Sequence, residues 1–156
     1  MIGIVLLAGL LGAVPPRPAA ATQVDGIAFV HRDGSLSVDG TRVRLFGILI
    51  PATGEDCYFF ERPVPCAPRA VLALKFDIGL DFVHCRLRAR AEDGTPTAVC
   101  RAGGRDLAAR LLRQGWAAAL PHAPDRYRIL ERIARERHIG IWGIPVVRGR
   151  IPVAPR

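Results

Sequence analysis

The strictest alternation of polar and apolar positions in the chain is Cys85-Arg86-Leu87-Arg88-Ala89-Arg90. Successive side chains of a strand point to opposite faces, so Cys85, Leu87 and Ala89 share one face and Arg86, Arg88 and Arg90 the other. Ala91 to Gly94 reads as a turn, and Thr97 to Cys100 as the returning strand. A hairpin centred between Glu92 and Asp93 sets Cys85 opposite Cys100. Upstream, Gly26 to His31 is a short apolar strand. Ser35 to Val38 alternates between two turn dipeptides, Asp33-Gly34 and Asp39-Gly40, and Arg42 to Ile48 continues as a third strand. Residues 24–50 therefore predict a three-stranded meander. Pro51, Pro63, Pro65 and Pro68 make Pro51 to Pro68 a loop, and a short helix follows from Arg69 to Phe76 with Val71, Leu72 and Leu74 as core contacts.

Two more helices close the chain. Asp106 caps the first, Leu107, Leu111 and Leu112 form its apolar face, and Gly115 stops it. Asp125 caps the second, in which Tyr127, Leu130, Ile133 and Ala134 recur at helical spacing until Gly140. Phe76, Phe82, Trp116 and Trp142 are assigned to the core. Five short strands followed by helices predict an α+β fold, a small barrel carrying helices. No internal repeat is present.

The remaining segments set the context. Ile2 to Val14 is apolar, Pro15, Pro16 and Pro18 break it, and Ala19-Ala20-Ala21 supplies small residues for cleavage. Residues 1–21 are therefore expected to be a signal peptide, with an uncleaved apolar anchor as the alternative. The expected domain spans 22–143, and 144–156 is a Pro- and Arg-rich tail. At 156 residues, half of them hydrophobic and 23% charged, the chain is one domain's worth of globular protein. The formal net charge of +8 favours anionic partners: nucleic acid, polyanionic glycan or an acidic membrane surface. In an exported domain the four cysteines predict two disulfides. The hairpin register favours Cys85–Cys100 and leaves Cys57–Cys66. No C-x-x-C pair is present, which argues against zinc and thioredoxin-like redox chemistry. His31, His84, His122 and His138 are scattered without ligand spacing.

Several blocks together resemble the staphylococcal nuclease (thermonuclease-like) family. They are Val43-Arg44-Leu45-Phe46-Gly47-Ile48, Pro51, Cys57, Pro65-Cys66, Ala98-Val99-Cys100 and Gly104-Arg105-Asp106-Leu107. Arg113-Gln114-Gly115-Trp116-Ala117, Glu131, Ala134-Arg135 and Gly140-Ile141-Trp142 complete the set. The resemblance implies an OB-type five-stranded β-barrel with three α-helices, and the four cysteines look like those of exported bacterial members. It also implies hydrolysis of DNA and RNA phosphodiesters with one calcium ion. Such a cation needs oxygen ligands. A Glu would activate water, and two Arg forks would grip the phosphoryl oxygens.

Position by position, that machinery is missing. The family's Asp-Gly-Asp-Thr loop is matched to Arg32-Asp33-Gly34-Ser35, which puts the ligand position on Gly34. The second metal carboxylate falls on Leu49 and the catalytic Glu on Ala52, in Gly47-Ile48-Leu49-Ile50-Pro51-Ala52. The second Arg falls on Thr95. Arg44 alone is kept, as a remnant phosphate contact or an ion-pair partner.

The expectation is an exported nuclease-like domain that is catalytically inactive and serves as a binding or structural module, without a cofactor. The alternative is a divergent calcium-dependent phosphodiesterase whose acids have relocated among Asp33, Asp39, Glu55, Asp56 and Glu92. Arg86, Arg88 and Arg90 are the anion-binding candidates, for nucleic acid or another polyanion bound weakly. Tyr58, Phe59 and Phe60 are either an exposed contact patch for a protein partner or a cover folded over the apolar spot made by Leu49 and Ile50.

Overall fold

A computed structural model describes residues 22–51, 56–59 and 62–142, with backbone alone for 56–59 and 62–64. The signal-peptide, Ala52, Glu55, Phe60 and tail expectations lie outside the described residues. In chain order the strands are β1 (Gln23–Gly26), β2 (Ala28–Val30), β3 (Leu36–Val38), β4 (Thr41–Leu45), β5 (Ile48–Leu49), β6 (Asp56–Phe59) and β7 (Arg62–Pro65). Helix α1 (Cys66–Ile78) leads to β8 (Val83–Arg90), β9 (Pro96–Ala102) and β10 (Arg105–Asp106). Helix α2 (Leu107–Arg113), β11 (Ala118–Ala119), α3 (Asp125–Glu136) and a 3-10 turn at Gly140–Trp142 complete the chain.

The main sheet is mixed, in the order β1-β8-β9-β4-β3-β2, with β10 added to β9. The strand expected over Gly26 to His31 is divided. β1 pairs with β8 and β2 pairs with β3, with Ile27 alone between them. The two ends of the strand order are thus neighbours in the chain. The expected hairpin forms in the expected register, with Cys85 opposite Cys100 and joined to it by a disulfide. A bulge between Leu87 and Ala89 then shifts the pattern by one residue. Ala89 is therefore exposed beside Arg88 and Arg90, not on the face of Cys85 and Leu87.

The segment from Pro51 to Pro68 is not all loop. β6 and β7 form an antiparallel pair, Asp56 opposite Pro65 and Phe59 opposite Arg62. A two-stranded ribbon tolerates proline on a backbone edge that makes no ladder bond. α1 also begins three residues before Arg69, because Pro68 lies in the first turn, where an N–H has no intrahelical partner to lose. Its buried face includes Ala70, Val71, Leu74, Asp77 and Ile78, whereas Leu72 is exposed. Phe76 is 77% exposed and Phe82 60%, so neither is core. Trp116 and Trp142 are half-buried around a small cluster of Cys66 and Ile141.

The main core joins Leu36, Val38, Val43, Val83 and Cys100 of the sheet to Leu74 of α1, Leu111 and Leu112 of α2, and Tyr127 of α3. Each such side chain contributes on the order of 1.5–3 kcal/mol by leaving water. Asp106 caps α2 as expected, its carboxylate accepting from Ala109 N–H at 3.0 Å. α3 differs: Pro124 stands at its N-cap and Asp125 is its first helical residue, an ion-pair partner of Arg128. Gly115 stops α2 as expected, but α3 ends at Glu136, with His138 at positive φ, and Gly140 opens the 3-10 turn instead. The Ile141 N–H donates to the Gly115 carbonyl at 2.8 Å, and a Cβ on either glycine would overlap the other segment's backbone. Both also have positive φ, so two separate requirements fall on glycine at each position.

Candidate functional site

The turn after β2 carries the first position that the resemblance assigns to metal binding. His31 and Ser35 close it, with His31 N–H donating to the Ser35 carbonyl at 2.9 Å. The Asp33 carboxylate accepts from Ser35 N–H at 3.1 Å and from Ser35 Oγ–H at 2.7 Å. Arg42, on β4, donates to Ser35 Oγ at 3.0 Å and to Asp33 at 2.9 Å. Partial burial raises the Asp33 pKa, but the Ser35 donors and the Arg42 charge outweigh it, so the carboxyl sits below its ordinary range. Asp33 is thus held within the turn. Gly34 is buried at φ 76°, and a Cβ there would overlap the Cδ1 methyl of Ile50. Ile50 itself packs on the main core.

Arg44 follows two positions after Arg42 on the outward face of β4. It forms an ion pair with Asp93 at 2.8 Å, both side chains about half exposed. Thr95, which stands where the resemblance would put the second arginine, donates its N–H to Asp93 at 3.0 Å. The two Thr95 hydrogen bonds, and then the Arg44 charge against slight desolvation, lower the Asp93 pKa.

The strand pairing gathers cations that the sequence leaves apart. β4, β9 and β8 are adjacent, with Arg44 opposite Thr97, Arg86 opposite Val99, and His84 opposite Arg101. Arg42, Arg44, Arg86 and Arg101 are all exposed on this surface. The bulge at Arg88 breaks the face expected for Arg86, Arg88 and Arg90. Ala89, opposite Thr97, takes the position on the side of Arg44 and Arg86, and Arg90, opposite Pro96, leaves that face and donates to the Gly94 carbonyl at 2.9 Å. Arg42 was not a candidate from sequence, because its place beside Arg86 depends on a parallel β4–β9 pairing that no local pattern announces; Arg101 follows from the expected hairpin register, which sets it opposite His84. The face also holds acid: Asp25 bonds His84 Nδ1 at 2.8 Å, and the Gln23 donor and then His84 lower its pKa.

Two other carboxylates are buried against the helices. Asp77 of α1 accepts from Arg110 Nε at 2.5 Å and from Gln114 Nε2 at 3.2 Å, which ties α1 to α2. Asp106 accepts from the Tyr127 hydroxyl at 3.0 and 2.9 Å and also pairs with Arg126. Burial first, and then the Asp106 charge, push the Tyr127 phenol well above its ordinary pKa. The helical period could have found Asp77, which lies three residues after Leu74 on the same buried face.

The residues present do not fit the calcium ion that the resemblance implies. Gly34 offers no side-chain oxygen, Leu49 offers hydrocarbon, and Ile50 packs over Gly34. Among the described residues no three His, Cys, Asp or Glu side chains are grouped to hold a metal ion. Asp39 and Glu92 lie exposed in turns, and the side chains of Glu55, Asp56, Tyr58, Phe59 and Phe60 lie outside the description. Cys66 is disulfide-bonded, and its expected partner Cys57 is likewise among the undescribed side chains. No helix among the described residues is long and apolar enough to cross a membrane. Compared with known proteins, the chain matches no family model and no curated sequence.

Proposed function

We propose that this chain is an exported, nuclease-like OB-type domain that has lost phosphodiester cleavage and acts as a binding module for an anionic polymer. The reading of the sheet as one closed barrel is supported by β1 and β2, which stand at opposite ends of the strand order and are separated by Ile27 alone. The Cys85–Cys100 disulfide supports an oxidising compartment. The observation that carries the loss of catalysis is the packing of Ile50 over buried Gly34. A methyl group stands at the position where a carboxylate would have to reach a cation. Asp33, the nearest acid in the chain, is engaged by Ser35 and Arg42 and so supports no relocated ligand set.

Binding is assigned to the outward arginines of β4, β8 and β9. They contact phosphates as charges. The test is incubation of the purified protein with single-stranded DNA and RNA, with calcium and with chelator. The expected result is no chelator-sensitive cleavage. Weak binding should fall steeply with salt and be reduced when Arg86, Arg88 and Arg101 are replaced together by Gln. Chelator-sensitive cleavage that Arg44→Ala abolishes would overturn the reading.

A further inference from the structure

Between α2 and α3 lies a cleft of about 450 Å³, within the size range of small-molecule sites. Its apolar part is Ala109 of α2 with Ile129 and Leu130 of α3, and Ile129 is exposed. Four guanidiniums stand around that hydrocarbon: Arg105, Arg110, Arg113 and Arg126.

The carboxylates nearby answer three of them. Arg105 pairs with Asp81 at 3.4 Å, Arg110 with Asp77, and Arg126 with Asp106. Those acids have little left to give. Asp106 also holds Ala109 N–H and the Tyr127 hydroxyl, and Asp77 also holds Gln114. Arg113 is exposed and, among the described residues, has no carboxylate partner. It lies three residues after Arg110, so the two share one face of α2. The contact of Arg110 with Asp77 uses its Nε, which leaves its terminal nitrogens for another acceptor.

We propose that this cleft binds a small amphiphilic monoanion, a carboxylate on a hydrocarbon chain. The hydrocarbon covers Ala109, Ile129 and Leu130, and the carboxylate takes Arg113 and the outer nitrogens of Arg110. An anion without a tail leaves the apolar floor wet, and a neutral hydrocarbon leaves Arg113 unanswered. A nucleic acid asks for a row of uncompensated cations, and here one charge is in excess. The site shares no residue with the outward arginines of β4, β8 and β9 and stands independently of the function proposed above.

The test is calorimetry on the full chain with dodecanoate below its micellar concentration, alongside acetate, dodecanol and dodecyltrimethylammonium. One-to-one saturable binding of dodecanoate is expected, with the other three at least about tenfold weaker. Arg113→Gln should weaken dodecanoate about tenfold and leave dodecanol unchanged, as loss of one charge-assisted contact requires. Ile129→Ser should weaken both. Both residues are exposed, so the melting temperature serves as the folding control. The proposal is overturned if the folded protein shows no saturable dodecanoate binding, or if dodecanol or the cationic amphiphile binds as well. It is also overturned if Arg113→Gln leaves dodecanoate affinity unchanged, or if binding is lost on Phe76→Ser and kept on Ile129→Ser.

Discussion

The carboxylates on the outward sheet face and those under the helices have similar arginine partners and opposite surroundings. Asp33 pairs with Arg42 and Asp93 with Arg44, all four side chains between two-fifths and just over half exposed. Asp77 is 3% exposed and Asp106 9%. In water a guanidinium–carboxylate contact exchanges almost evenly with hydration, whereas a sealed carboxylate stripped of its donors has no such alternative. The helix side therefore holds the fold together, and the outward side holds charges that an incoming anion can take over. Arg44 and Thr95, which the resemblance sets at catalytic positions, fall on the second side.

The sharpest test of that contrast is Asp77→Ala. It leaves Arg110 and Gln114 without their acceptor between α1 and α2. A loss of about 2–3 kcal/mol is expected from urea denaturation. Asp77→Asn, which keeps an acceptor oxygen, should lose less. A loss under about 1 kcal/mol would place Asp77 with the exposed acids and break the contrast.

Tyr127→Phe removes the hydroxyl that donates to Asp106 and leaves Ala109 and Arg126 as its donors. About 1–2 kcal/mol should be lost. The same group gives the fold an alkaline limit. Burial and the Asp106 charge keep the Tyr127 phenol protonated in the folded chain, while the unfolded chain ionises it near 10.0. A raised folded pKa means that its contribution is complete below about pH 10 and declines as pH rises above that. Chemical denaturation from pH 8 to 11.5 should show this decline, and Tyr127→Phe should flatten it. Parallel slopes for the two proteins would contradict the assignment.

How much of this was legible in the sequence follows from how local each signal is. The Cys85–Cys100 bond, the Asp106 cap and the Gly115 stop were legible because they depend on near neighbours in the chain. The division of the first strand at Ile27 was not, because β1 takes its edge from distant β8 while β2 stays with its chain neighbour β3. Proline made Pro51 to Pro68 look irregular, although Pro68 is free of cost in a first helical turn. Phe76 and Phe82 were assigned to the core by hydrophobicity alone, and they are exposed. Of the candidate site, the missing donors at Gly34 and Leu49 could be read from residue types. The engagement of Asp33 by Arg42 could not, since it depends on side-chain geometry across β3 and β4, whereas the place of Arg101 beside Arg86 follows from the expected hairpin register and was overlooked.

On the outward side, Asp33→Asn is the larger of two small effects. The Asn oxygen can still accept from Ser35 N–H, and the charge on Arg42 is left to solvent. About 0.5–1 kcal/mol should be lost near neutral pH. The Asp33 carboxyl has a lowered folded pKa. Its contribution is therefore present above the unfolded value and lost as pH falls from about 4 through the folded value. A difference between wild type and Asp33→Asn that persists unchanged at pH 2 would show that it does not come from the carboxylate's charge.

The smallest stability effect belongs to Asp93→Asn, and it is the most telling for function. Asp93 and Arg44 are both near half exposed, and Thr95 N–H can bond an Asn oxygen as it bonds the carboxylate. The denaturation midpoint should not move. Arg44 loses its internal counter-charge, however, and becomes available to phosphate. Affinity for a single-stranded oligonucleotide should rise about twofold to fivefold near 50 mM salt, and the gain should vanish near 500 mM, where screening removes the difference. A control with Arg44→Gln added to Asp93→Asn should cancel the gain. An unchanged affinity at low salt would mean that the β4 face takes no part in anion binding. The function would then have to be sought among the arginines past the bulge of β8.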